Sequence, residues 1–209
     1  RTNRGIQVSK FLAQPPALHV RMIHQWLKEE GCQEVSMMHI QGVLGLLHSS
    51  KPAAQYRLPG LRTIAREYDV LIFQPQESPS ICGSQLLRLP GETRLPGSCY
   101  TVKAQLIKNL KAVENTPYSF ALKYDMIEQT NLLRSRLAGD VLHRKGGSKP
   151  VKKLWIDAKI PQRLRSALPV LVIGDTVAAA AGIGADPRYL AQPGQKAWQI
   201  TIQREDVRL

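Results

Sequence analysis

The tetrapeptide RLPG interrupts the chain three times, at residues 57–60, 88–91 and 94–97. Within a turn, proline presets φ and glycine accepts a positive φ, so each copy ends the element that precedes it. The copies lie 31 and 6 residues apart, and these spacings do not make a structural repeat. We therefore interpret them as hairpin-type connections, which restrict the middle of the chain to short strands.

Two helices are predicted before the first of these turns. Residues 15–30 begin with two prolines, which suit a helix start, and carry apolar residues on one face up to Gly31. A second helix is predicted after Ser36, which serves as its N-cap. Gly42 and Gly45 disfavour this second helix by about 1 kcal/mol each relative to alanine.

The rest of the chain is richer in strand patterns. Two short helices are predicted there, one from Pro150 and one from Pro161 up to Pro169. Predicted strands lie at 63–67, 69–73, 86–91, 99–107, 119–127, 133–137, 170–173, 176–184 and 197–203.

These patterns predict an α+β fold with two domains. The first, residues 1–78, is a small helical domain with a β-hairpin. A linker and strand region follows over 79–116, and its best linker candidate is the proline-bearing stretch 74–85, which has few periodic apolar residues. The second domain, residues 117–209, is a mixed α/β domain rich in strands.

The ends and the cysteines of the chain indicate its compartment. No run of eighteen apolar residues occurs, so no transmembrane helix is predicted. The chain opens with RTNRG, without an initiator methionine or a signal-peptide pattern, and we expect it to be a piece of a longer protein. Its three cysteines lack CxxC spacing, which suits a reducing compartment. We therefore expect a cytoplasmic protein.

Signatures of catalysis are absent from the sequence. It contains neither GxxxxGK[ST] nor GxSxG, and its five histidines never pair at i, i+4 or with cysteine at ligand spacing. Gly182-Ile183-Gly184 begins like a dinucleotide loop but breaks off at Asp186. We therefore predict no catalytic residue, no metal ligand and no cofactor site in this chain.

The charge is concentrated in one place. The net charge is +13, and residues 131–167 alone hold ten Lys or Arg against two Asp or Glu. A local basic block of this kind is typical of a polyanion partner, although a solvated surface can also be basic. Residues 131–167 are called the basic block below.

The cations of the basic block fall on predicted elements that could hold phosphate. Alternation over 133–137 predicts a half-buried strand with both of its arginines on one face. A Gly-Gly-Ser turn at 146–148 is predicted to lead into the helix from Pro150, leaving backbone N–H groups free for an anion. The candidate phosphate-binding residues are Arg134, Arg136, Arg144, Lys145, Lys149, Lys152, Lys153, Arg163 and Arg165.

Two further features define the predicted contact. No RNP-type aromatic pattern accompanies the basic block, so the cations are expected to hold a nucleic-acid backbone. If about five of them contact phosphates, affinity should fall as roughly the fourth power of the salt concentration. Asp140, after Gly139, is interpreted as a turn residue that bonds nearby backbone N–H groups.

The same residues carry a resemblance to a known family. RSRLAGD at 134–140, HRKGGSKPVKKLWIDAKIPQRLRSALPVLVIGD at 143–175 and AAAAGIG at 178–184 resemble the C-terminal domain of bacterial tRNA(Ile)-lysidine synthetase. PPALHVRMIHQWLKEEG and YRLPGLRTIAREYDVLIF look like the helical substrate-binding domain of that family. The resemblance covers most of the chain and is least specific over 75–116.

The resemblance implies a cytoplasmic ligase that uses ATP to join lysine to the wobble cytidine of tRNA-Ile(CAU). In that family the chemistry belongs to an N-terminal ATP-pyrophosphatase domain with an SGGxDS loop, and this loop is absent here. ATP and Mg are therefore expected on the absent domain, and this chain alone is expected to be inactive. The implied partners are tRNA-Ile and the protein's own N-terminal catalytic domain, with no membrane.

Three interpretations stay open at the level of sequence. The leading one is the tRNA-recognition half of the synthetase. The second is a free-standing RNA- or phosphate-binding module without ligase activity, which an upstream reading frame encoding SGGxDS would argue against. In the third, the basic block docks the catalytic domain. The oligomeric state is also open, with a homodimer among the options.

Overall fold

The structure is a computed structural model that describes residues 5–60, 62–74, 80–111, 115–127 and 131–205. The chain divides into two compact units, residues 1–77 and 78–209. Both units combine helices with sheets, which confirms the predicted α+β class. No helix in the described ranges is both long enough and apolar enough to cross a membrane.

The first unit contains three helices and a four-stranded antiparallel sheet. Its strand order is β1-β4-β3-β2, so the predicted hairpin β3–β4 gains a strand on each side. Its elements are β1 (Ile6–Gln7), α1 (Val8–Leu12), α2 (Pro16–Glu29), α3 (Met37–His48), β2 (Ala53–Arg57), β3 (Thr63–Glu67) and β4 (Val70–Phe73).

Both helices predicted for this unit are confirmed. The Ser36 hydroxyl accepts a hydrogen bond from the His39 N–H, and the His39 ring accepts one from the Ser36 N–H, so a capping box starts α3. At the other end, the Arg66 guanidinium donates to the carbonyls of Leu46, Leu47 and Ser49 at 3.1, 2.9 and 2.7 Å. The sheet therefore satisfies the carbonyls that a helix end leaves unpaired.

The second unit contains two larger sheets around a common apolar core. One sheet has the order β14-β13-β12-β9-β5 and the other β6-β7-β15-β8, while β10 and β11 form a separate hairpin. Its strands are β5 (Ser84–Leu86), β6 (Gly91–Arg94), β7 (Tyr100–Ile107), β8 (Ser119–Lys123), β9 (Asn131–Arg134), β10 (Val141–Arg144), β11 (Gly147–Pro150), β12 (Val170–Ile173), β13 (Thr176–Ala180), β14 (Gly184–Ala185) and β15 (Ala197–Arg204). Its helices are α4 (Val151–Asp157) and α5 (Gln162–Arg165).

The core of this unit draws on both large sheets. Phe120 and Ile200 come from one sheet, and Leu133 and Ala180 from the other, and all four are buried in a single cluster. The eight-residue strand β15 lies between β7 and β8, so the last described strand joins β8 to the rest of this sheet. Apolar burial on this scale supplies most of the stabilisation of such a unit.

The three RLPG turns differ in what they connect. The copies at 57–60 and 94–97 join the antiparallel neighbours β2–β3 and β6–β7, as predicted. The prediction is wrong for 88–91, because β5 pairs with β9 and this copy carries the chain from one sheet to the other. The strand predicted over 86–91 is also wrong, since β5 ends at Leu86 and β6 begins at Gly91.

The region between the two predicted domains belongs to the second unit. Residues 79–116 supply β5, β6 and β7 to its two sheets, and we therefore treat them as part of this unit. Residues 75–79 of the predicted linker lie outside the described residues.

Candidate nucleic-acid interface

The basic block covers strand β9, the hairpin β10–β11 and the two short helices. The hairpin pairs Val141 with Pro150 at its base and Arg144 with Gly147 at its tip. Leu142 is fully buried at the base, whereas every residue from Arg144 to Pro150 is exposed. The hairpin therefore presents its tip and its outer strand to solvent.

The predicted strand with two arginines on one face is wrong. Strand β9 ends at Arg134, and the following residues form a loop in which Leu137 is exposed. Arg136 lies in that loop and donates to the Leu137 carbonyl at 2.8 Å. Alternation predicted a longer strand because it takes no account of Asp140, whose side chain binds Arg134 and turns the chain.

Arg134 and Asp140 form a largely buried ion pair. Two guanidinium nitrogens donate to the two carboxylate oxygens at 2.7 and 2.9 Å, and the side chains are 15% and 9% exposed. The Leu137 N–H also donates to Asp140 at 2.7 Å, which confirms its predicted role as a turn residue. We therefore expect Arg134 to hold the loop, with its guanidinium turned to a protein partner.

The environment of this carboxylate is reflected in its pKa. Burial raises the pKa of Asp140, but the hydrogen bonds from Arg134 and from the Leu137 N–H outweigh that effect and leave the pKa below its ordinary value. The stability that the pair contributes is therefore present at neutral pH and is lost as the pH falls through the lowered value.

The predicted anion-binding turn before the helix is also wrong. Gly147 and Ser148 belong to strand β11, where they pair with Arg144 and His143. The chain stays extended up to Pro150 because the residue before a proline avoids the helical region. The first helical N–H, that of Val151, donates to the Asp140 carbonyl at 2.9 Å and is not available to an anion.

Helix α4 begins one residue after the predicted start and holds two lysines on its outer face. Val151 and Trp155 are fully buried, and the Trp155 indole N–H donates to the Ala181 carbonyl at 2.9 Å. Lys152 and Lys153 point away from this buried face and are exposed. The packing of the tryptophan therefore fixes where the two charges lie.

The nine candidate cations differ in how much of their charge is available. Arg144 donates to the Ile183 carbonyl at 3.2 Å, and Lys149 lies 3.9 Å from Asp157. Arg165 donates twice to the Ile160 carbonyl, and both Arg163 and Arg165 make further interactions. Among these nine candidates, all of which the structure describes, the exposed residues without a hydrogen bond or ion pair are Lys145, Lys152 and Lys153.

One residue pair on the hairpin was not predicted. The Ser148 hydroxyl lies 2.5 Å from Nδ1 of His143, directly across the two strands. The sequence gives no signal for this contact, because HRKGGSKP lacks the apolar alternation that would indicate a hairpin. Among the described residues, no group of three or more His, Cys, Asp and Glu is placed to hold a metal ion.

Two sequence profiles from one family match the chain. The TilS substrate binding domain matches residues 7–72, and the TilS substrate C-terminal domain matches residues 133–202. Together the two matches cover about two thirds of the chain. The chain belongs to the TilS family. The C-terminal TilS match contains all nine candidate cations.

Related proteins agree with this assignment. The tRNA(Ile)-lysidine synthase of Symbiobacterium thermophilum is 34% identical over 120 residues, which cover 56% of this chain and 25% of that protein. The bifunctional protein TilS/HprT of Listeria monocytogenes is 30% identical over 171 residues, covering 78% of this chain and 26% of that protein. This TilS chain therefore spans about a quarter of the length of these relatives.

A solved structure shares the fold. The crystal structure of a TilS C-terminal domain aligns with a TM-score of 0.51 and 21% identity, covering 58% of this chain and 96% of that domain. The likeness establishes a common fold for that part of the TilS chain.

Proposed function

We propose that this chain is the tRNA-recognition part of a tRNA(Ile)-lysidine synthase. The observation that carries the proposal is the set of exposed lysines without a protein partner on the hairpin tip and on α4. These lysines, Lys145, Lys152 and Lys153, lie within the residues that match the TilS C-terminal domain. Lysine acts toward phosphate as a point charge, so this surface suits an RNA backbone.

The activity of the whole protein is part of the proposal. The enzyme would adenylate the wobble cytidine of tRNA-Ile(CAU) and let the lysine amine displace AMP, giving lysidine. ATP and Mg would bind the N-terminal catalytic domain, for which this chain has no counterpart of the SGGxDS loop. The chain would work in the cytoplasm, would be inactive by itself, and would have tRNA and that catalytic domain as its partners.

Eight of the nine candidate cations take part in the proposed contact, whereas Arg134 is held by Asp140. The lysines of the hairpin tip and of α4 would bind phosphates directly. Arg136, Arg144 and Lys149 are exposed or half-exposed and would add to the positive potential around them. Arg163 and Arg165 are half-buried at α5 and would act mainly through their charge.

The test is a binding competition with the whole 209-residue chain. It should bind tRNA-Ile(CAU) at low salt, and binding should weaken steeply as salt is added. Elongator methionine tRNA, as competitor, shows whether this part of the enzyme discriminates between the two tRNAs. A folded sample that binds no tRNA at low salt would contradict the proposal.

A parallel assay separates recognition from catalysis. The chain mixed with ATP, Mg, lysine and tRNA-Ile(CAU) should release no AMP, because its sequence contains neither GxxxxGK[ST] nor an SGGxDS loop. Release of AMP that depends on both lysine and tRNA would show that this chain carries catalytic residues and would overturn the assignment to a recognition part.

A further inference from the structure

The basic block contains two carboxylates, and their surroundings differ. Asp157, at the end of α4, is 51% exposed and lies 3.9 Å from Lys149. Asp140 is 9% exposed and accepts hydrogen bonds from Arg134 and from the Leu137 N–H. A carboxylate inside a phosphate-binding surface opposes the binding of a polyanion unless it has another role.

The contacts of Asp140 connect three parts of the second unit. Its side chain binds Arg134, which sits in β9 between β12 and β5. Its carbonyl accepts the first N–H of α4, from Val151, at 2.9 Å. It also directly precedes Val141, whose partner at the base of the hairpin is Pro150. Asp140 therefore connects the sheet that contains β9 to the point where the hairpin ends and α4 begins.

The free lysines lie on the two elements that start from this point. Lys145 is at the tip of a hairpin of four residues per strand, so it stands about 13 Å from the hairpin base. Lys152 and Lys153 are in the first turn of α4. A small rotation at the base would therefore displace the tip lysine relative to the helix lysines.

From these contacts we infer that Asp140 is a positioning residue of the RNA site. Its side chain, held by Arg134, fixes the position of the hairpin lysine relative to the α4 lysines, so that they can contact phosphates of one RNA together. This inference rests on the proposed function, because it takes RNA as the ligand of the basic block. It assigns Arg134, a candidate phosphate ligand, to the support of the site.

The sign of the effect distinguishes positioning from charge. Both Asp140→Asn and Asp157→Asn remove one negative charge from the basic block, so charge alone predicts that both variants bind tRNA at least as well as the parent chain. Positioning predicts that Asp140→Asn weakens binding by about tenfold, the lower end of the loss typical when a residue that orients a metal ligand is removed. Asp157→Asn, the matched control, should bind equally or up to about threefold more tightly.

The experiment measures the affinity of the full chain for tRNA-Ile(CAU) across a range of salt concentrations. The magnitude of the slope of log affinity against log salt reports how many phosphates the chain contacts at once. It should be smaller by about one or more for Asp140→Asn and unchanged for Asp157→Asn. Hydrogen exchange at the Leu137 amide, measured alongside, should be faster in the Asp140 variant alone.

A second variant keeps the test decisive if Asp140→Asn folds poorly. Asp140→Glu leaves the net charge unchanged, so a weaker affinity and lower slope in that variant report position alone. Asp140 variants that bind as Asp157→Asn does, with the same slope, would overturn this inference while leaving the proposed function intact. A parent chain that binds no tRNA would overturn both.

Discussion

At the scale of single residues, burial shifts the pKa of ionisable side chains and so makes the stability of the fold depend on pH. Tyr100 is 5% exposed at the start of β7 and stacks on Tyr118 with ring centroids 6.4 Å apart. Burial, reinforced by the negative charges that Tyr118 and Cys99 would carry, raises the pKa of Tyr100 to about 12.

This shift predicts a loss of stability at high pH. An unfolded tyrosine ionises near pH 10, so between about pH 10 and 12 the unfolded chain binds fewer protons at this residue than the folded chain does. The free energy of unfolding should therefore fall with rising pH in that window. Urea unfolding at several pH values measures it, and the same pH dependence in Tyr100→Phe would show that another group is responsible.

The residue scale is also where the sequence was least informative about the site. The types of the nine cations could be read from the sequence, but their availability could not. Arg134 and Lys152 are both basic residues in one block, yet the first is held by Asp140 and the second is exposed. A pairing made by side-chain geometry across a loop leaves no periodic signal along the chain.

At the scale of elements, the long periodic helices were predicted well, whereas several of the short strands were missed. The 14 residues of α2 and the 12 of α3 present an apolar face over several turns, and both were predicted. The strands β1, β2, β5 and β6 have two to five residues each, too few for alternation to show. The hairpin β10–β11 was missed because its outer strand is entirely exposed and polar.

The hairpin tip offers a prediction about shape. Gly147 has φ of +110°, which an alanine adopts only with strain, whereas neighbouring Gly146 has no such φ, and both have open space where a Cβ would lie. Gly147→Ala should therefore distort the tip, move Lys145 and lower tRNA affinity severalfold, with the fold retained. Gly146→Ala is the control and should bind as the parent chain does.

Affinity measurements on the two glycine variants check this prediction. Equal affinity for both variants would show that the conformation of the tip does not matter to binding. It would place the contact on α4 alone.

At the scale of the whole molecule, the sequence predicted the α+β class but not the pairing of the strands. Strand β7 pairs along its full length with β15, about a hundred residues later, and nothing in either segment specifies the other. That class followed from composition and periodicity. The assembly of the second unit into two sheets depends on side-chain packing between distant segments.

Separate cores predict separate unfolding. Leu47 is buried in the core of the first unit and Leu133 in that of the second. Leu47→Ala and Leu133→Ala should each lower the free energy of unfolding by about 2 to 5 kcal/mol, and each should shift a different transition in urea. A single transition that both variants shift equally would show that the units unfold together.

The central claim is that the lysines of the basic block hold RNA phosphates. Its most direct test is the salt dependence of tRNA-Ile(CAU) binding by the Lys152→Gln/Lys153→Gln variant. The matched control is Lys108→Gln/Lys111→Gln, which removes the same charge from exposed lysines outside the basic block. The slope of log affinity against log salt is negative. We predict that its magnitude falls by about two in the first variant and stays unchanged in the control. Equal slopes in both variants and the parent chain would contradict the claim.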